Sequence, residues 1–138
     1  MDDLKKAMAA NGLNTIRSHY EPEETMARLG AAVSARGMTV FAHTDHAAGA
    51  AEAGLPLRPT DLLIFGSPKG GTPMMQTVQA VGIDLPLKAL VWRHEAGVTW
   101  LSYNDPVRLV ERRGAGPDAK AIVRPMTAAL DAISTEAT

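Results

Sequence analysis

Cysteine is absent from the 138 residues. Its absence excludes disulfides, thiolate zinc sites, iron–sulfur clusters and cysteine nucleophiles, and leaves the redox compartment open. Long apolar runs are missing as well: none approaches the roughly 18 to 20 residues that span a bilayer. Residues 1–12 carry Asp2, Asp3, Lys5 and Lys6 and lack the apolar stretch of a secretory signal. The expectation is a soluble, cytoplasmic protein with no membrane partner. A basic excess is the third absence. Lys and Arg number 14 against 15 Asp and Glu, the net charge is −1, and no Lys/Arg-dense run occurs. The electrostatic footprint of a nucleic-acid binder is therefore lacking.

What is present describes one domain. With 46% apolar residues, a chain of this length buries about two-thirds of its unfolded surface, enough for a core without metal, disulfide or other cofactor. Any chemistry falls to His, carboxylates, Lys, Tyr or hydroxyls.

Periodicity and punctuation give the order of elements. Leu4, Ala7 and Met8 predict a short helix ended by Asn11-Gly12. A strand follows over 15–20, then a helix opened by Pro22-Glu23-Glu24 and stopped by Gly37. Residues 38–42 read as a second strand, after which Thr44 or Asp45 caps an alanine-rich helix from His46 to Ala53. Asp61-Leu62-Leu63-Ile64-Phe65 reads as the central strand, buried on both faces. A Gly/Pro loop over 66–73 then leads into a helix with Met74, Met75, Val78 and Val81. Residues 87–93 and 98–103 flank Glu95-Ala96-Gly97 as a hairpin. Asn104-Asp105-Pro106 caps a helix with Leu109 and Val110, and a last helix over 117–134 should kink or break at Pro125. Strands and helices do not strictly alternate, which argues α+β: one mostly antiparallel sheet with helices on a single face.

Three clusters carry candidate chemistry, each beside a structural reading. His43 and Asp45 share a strand face at i, i+2, with His46 just beyond. They suit an acid/base pair in which Asp45 polarises a histidine, or a zinc or iron site built on His43 and His46; alternatively Asp45 is simply a helix cap. Gly66, Ser67, Pro68, Lys69, Gly70, Gly71, Thr72 and Pro73 lie between a buried strand and a helix. Backbone N–H groups and a helix dipole gather anions in that setting, and Lys69 would add charge. The order of Lys69 and the paired glycines is not that of a Walker A loop. The plainer reading is a tight turn capped by Thr72, with Pro73 opening the helix. Asp84 with Lys88, and Tyr103 with Asn104, either line the same pocket or serve as strand-entry charges and an Asx-type cap. Met74, Met75 and Met126 read as flexible core filling, and Trp92 and Trp100 as packing anchors.

Taken together, FAHTDHAAGA (41–50), LRPT (57–60), FGSPKGGTPMM (65–75), DLPLK (84–88) and WLSYNDP (100–106) resemble the bacterial and archaeal family called domain of unknown function 302, over roughly residues 14–134. The resemblance implies a TATA-binding-protein-like α+β fold and a homodimer. It transfers no reaction. The matching positions are Asp45, His46, Gly66, Pro68, Lys69, Gly71, Thr72, Pro73, Asp84, Lys88, Tyr103 and Asn104; Ser67 stands where the family often has Asn, and His43 falls outside the pattern.

The leading reading is a homodimeric binder of a small anionic molecule, with Gly66 to Thr72 as the cradle and Asp45 and His46 as orienting groups. The rivals are an enzyme using an Asp-His pair or a His-bound metal, and a dimerisation or protein-docking module. The anion reading requires these distant stretches to fold into one hollow.

Overall fold

In the computed structural model, which describes residues 2–138, one five-stranded antiparallel sheet organises the chain. The strands are β1 (Leu13–Arg17), β2 (Thr39–Asp45), β3 (Thr60–Gly66), β4 (Leu87–Arg93) and β5 (Thr99–Asn104), in the spatial order β1-β5-β4-β3-β2. The helices are α1 (Asp2–Ala10), α2 (Pro22–Ala35), α3 (His46–Glu52), α4 (Pro68–Thr77), α5 (Pro106–Arg112), α6 (Ala119–Ile122) and α7 (Arg124–Ala137), with a 3-10 turn at Gln79–Asp84.

Side-chain alternation assigns the two faces of the sheet. Leu63 and Phe65, Leu87, Ala89 and Val91, and Leu101 and Tyr103 point to one side. There they join Leu29 and Val33 of α2 and Met126, Leu130 and Ile133 of α7 in the core. The other side carries Leu62, Ile64, Leu90 and Trp92, all only half-buried, with Trp100 and Ser102 buried toward the β1 end. There α1 packs on β1: the Thr15 hydroxyl meets Met8 sulfur at 3.5 Å and Ser102 Oγ at 2.9 Å, and Trp92 Nε1 donates to Ser102 at 3.0 Å. Helices therefore cover one face, with α1 as an addition on the other.

Three details differ from the sequence-based expectations. β4, not β3, is the middle strand, and β3 is buried on one face only: Leu63 and Phe65 are in the core while Leu62 and Ile64 stay half-buried. The expected loop over 66–73 is mostly helix. Ser67 is the N-cap, its side chain accepting from Gly70 N at 3.2 Å, and Pro68 holds the first helical position, so α4 starts five residues before Pro73. A Ser-Pro start overrides the low helix propensity of Gly70-Gly71. Finally, β2 continues to Asp45, three residues beyond the expected strand. The break near Pro125 is as expected: α6 ends at Ile122 and α7 starts at Arg124, with Pro125 in its first turn.

β2 is unusual among the strands. It is an edge strand, and all seven of its residues are exposed, including Val40 (40%) and Phe41 (55%). The register slips between Val40 and Ala42, a bulge that turns Phe41 toward the helix side. α3, which follows directly, buries none of its residues and packs against β3, and Leu55 and Leu57 beyond it are exposed.

Candidate functional site

A hollow of about 620 Å³ opens between the start of α4, the 3-10 turn and α7. Its walls are apolar: Met38 and Phe41 from the β2 side, Met75 of α4, Leu85 and Leu87 at the entry to β4, and Met126 of α7. Glycines make the room. A Cβ on Gly71 would stand 3.4 Å from Leu85 Cδ1, and one on Gly70 would stand 3.6 Å from Met126 Cε. Gly66 and Gly82 complete the lining. The polar side chains there are Ser67, committed to its cap, and Lys69, exposed at the rim and in no ion pair among the described residues. Such a cavity receives an apolar body and offers one cation to its polar end.

The anticipated single site is therefore only half assembled. Gly66, Ser67, Lys69, Gly70 and Gly71 border the hollow, while Thr72 projects from α4 into solvent. The backbone cradle is largely spent, since Gly70 N and Gly71 N both donate to Ser67 O, at 3.1 and 3.0 Å. Asp45 and His46 lie elsewhere. Thr39 pairs with Gly66 while Asp45 pairs with Asp61, so six residue steps, about 20 Å, separate Asp45 from the Lys69 end. Within one chain they do not meet, because they lie at opposite ends of β2. Asp45 Oδ1 accepts from Ala48 N at 2.9 Å, the capping reading, and His46 is exposed.

Asp84 and Lys88 flank the hollow but are engaged away from it. Arg113 grips Asp84 through Nε at 2.8 Å and Nη2 at 3.1 Å, and this hydrogen-bonded pairing holds the carboxyl below its usual range against the opposing effect of burial. Lys88 shares a sheet face with Ile64 and donates to the carbonyls of Asp84 (3.3 Å) and Pro86 (3.1 Å), bracing the turn. Tyr103 is in the core, where burial pushes its phenol up, and Asn104 is exposed at the end of β5.

Two features escaped the sequence reading. Asp61, not Asp45, is the carboxylate that touches a histidine: His43 Nε2 lies 3.1 Å from Asp61 Oδ1. Strand register alone sets that pair, and it sits on an exposed edge outside the hollow. Among the described residues no three His, Asp or Glu side chains gather as metal ligands. The second is the apolar lining: Met126, part of the core, and the half-buried Met75 each also present a face to the hollow.

Residues 14–133 match the family described as Domain of unknown function DUF302. The chain belongs to this family. Its fold matches the crystal structure of an uncharacterised conserved DUF302 protein from Bacillus stearothermophilus, with TM-score 0.83 and 23% identity over 92% of this chain and 98% of that one. The chain is also 43% identical over 116 residues to proteins named "Fluoride-specific ion channel FluC 1" in Brucella suis and Brucella abortus, 84% of this chain in each case. It spans 46% and 43% of their lengths, so about half of these curated relatives has no counterpart here. Among the described residues no helix is long and apolar enough to cross a membrane.

Proposed function

We propose that this DUF302 domain is a homodimeric binding module for a small molecule with an apolar body and an anionic end. The hollow carries this reading: some 620 Å³ of methionine, leucine and phenylalanine surface with one unpaired lysine at its rim. Burying an aliphatic chain there yields about 0.8 kcal/mol per methylene, and the ammonium of Lys69 selects a carboxylate, phosphate or sulfate terminus. The dimer rests on β2, a seven-residue edge without Lys, Arg or Pro and with exposed Val40 and Phe41. Its one guard is the bulge at Phe41, and an edge otherwise open in this way is suited to pairing with another strand. In the Brucella relatives a region similar to this chain accompanies a further stretch in proteins named for fluoride conduction, which suits a ligand-responsive module beside a membrane part; fluoride therefore belongs in the titration.

The experiment is a thermal-shift series with decanoate, hexanoate, decanol, inorganic phosphate and fluoride. Saturation at a hundred times Kd stabilises by about 2.7 kcal/mol. Decanoate is expected to raise the Tm most, hexanoate less, and decanol less than decanoate. A shift with phosphate or fluoride equal to that with decanoate would show that the apolar hollow plays no part, and no shift with any of them would overturn the reading.

A further inference from the structure

The groups that one chain keeps apart are those that a two-fold axis through β2 would unite. β2 is open along its outer edge, since α3 packs back against β3 and β2 ends the sheet. An antiparallel partner strand continues such a sheet with both faces in register, and an isologous dimer supplies the same strand with reversed direction. With the axis at Ala42 and Phe41 as the extra residue of the bulge, Thr44 of one copy falls opposite Thr39 of the other and Asp45 opposite Met38, so that Asp45 faces the hollow side. Thr39 is hydrogen-bonded neighbour to Gly66, and Met38 and Gly66 both border the hollow. Strands lie about 4.8 Å apart, so Asp45 of a second copy arrives two strands, about 10 Å, from Gly66. The 20 Å gap within a chain closes across the axis.

We propose that the hollow is a composite site, completed by Asp45 and His46 of a second copy at the mouth that Ser67 and Lys69 form. This rests on the homodimer reading above.

Charge supports the match. Asp45 faces Asp61 in register, an unfavourable like-charge pair, and only Asp61 has the His43 ring against it. Lys69 has no carboxylate partner among the described residues. Pairing by the two-fold brings each Asp45 carboxylate toward the Lys69 of the other copy, twice per dimer. Ala42 at the axis is small and uncharged, and Val40 and Phe41 beside it gain cover. Asp45 anchors the contact while still capping α3, and the His46 imidazole becomes a second nitrogen available to the polar end of a ligand. Two site halves on different chains link ligand binding to dimerisation: the Asp45 carboxylate and a ligand's anionic end share Lys69, and the His46 imidazole beside them is the further N–H that end would meet.

The test exploits a chain that has no cysteine of its own. The double variant Thr39→Cys, Asp45→Cys is treated with a short bismaleimide, too short for the 20 Å within one chain, and analysed by denaturing electrophoresis; wild type is sized by sedimentation equilibrium. The expected result is a dimer in solution and a covalent dimer in most of the treated double variant. Because Asp45→Cys removes a helix cap, Thr39→Cys and Thr44→Cys form a second pair that leaves Asp45 in place, with the same expectation. A dimer in solution with neither pair cross-linked overturns the composite site while leaving the homodimer reading intact. A monomeric wild type overturns both.

Discussion

Gly70 should be a position where stability and binding move in opposite directions. It is the third residue of α4, its backbone is not left-handed, and a Cβ there would lie 3.6 Å from both Met126 Cε and Ser67 Oγ, an ordinary van der Waals separation. Gly70→Ala therefore introduces no clash and keeps the N–H that Ser67 caps. Alanine is favoured over glycine in a helix interior by about 0.8–1 kcal/mol, partly through the unfolded chain; near a helix start about half to all of this applies. The expected gain is about 0.5–1 kcal/mol, a Tm rise of about 2–5 °C for a chain of this size. The same methyl intrudes on the hollow, so decanoate should bind about fivefold more weakly, a loss of about 1 kcal/mol. Gly49→Ala in α3, whose Cβ would meet nothing within 4 Å, is the control: it should stabilise without altering affinity. Denaturant melts and calorimetric titration read both quantities. A destabilised Gly70→Ala would refute the helical start of α4, and an unchanged affinity would refute placement of the ligand against it.

Further outcomes follow from the same physics. Gly12 adopts φ +83° after α1, and a Cβ there would stand 3.1 Å from Arg108 Cβ; Gly12→Ala should cost about 1–2 kcal/mol, read by chemical denaturation. The buried hydroxyls of Ser18 and Thr25 share a 2.6 Å hydrogen bond; Ser18 Oγ also accepts from Tyr20 N at 3.2 Å, so Thr25→Val should cost about 1–3 kcal/mol by leaving the Ser18 O–H without an acceptor. Asp84 has a folded-state pKa lowered by Arg113 from the ordinary 3.8. Its contribution is full above 3.8 and is lost as pH falls through the lower folded value. Melting curves of wild type and Asp84→Asn should differ at pH 6 and draw together on acidification beyond the ordinary carboxylate value of 3.8; a gap that widens on acidification would contradict this sign.

The fold was largely legible in the sequence because punctuation and periodicity acted locally. Asn11-Gly12, Pro22-Glu23-Glu24, Gly37 and the Glu95-Ala96-Gly97 turn each stop or start an element through their own backbone preferences. The Ser67-Pro68 start was masked by the glycines and Pro73 that follow, which read as loop when each residue is weighed by propensity alone. Which strand is central was also out of reach, since Asp61 to Phe65 is the most apolar run and yet β4 lies in the middle. The site was half legible. The Gly66–Gly71 segment borders a hollow, but the apolar nature of that hollow depends on Met38 and Phe41 at β2, Leu85 before β4 and Met126 of α7 arriving from separate parts of the chain. The contact of His43 with Asp61 instead of Asp45 depends on cross-strand register, which no local pattern encodes.

Methionine methyl groups offer the most direct test of the hollow as the binding site. Of the seven methionines, Met38, Met75 and Met126 line it, whereas Met8 packs by Thr15 on the opposite sheet face. In a titration of methyl-labelled protein with decanoate, the Met38, Met75 and Met126 resonances are expected to shift together and saturate at one concentration, with Met8 unmoved. Saturable binding that leaves those three in place, or that moves Met8 instead, would contradict the account.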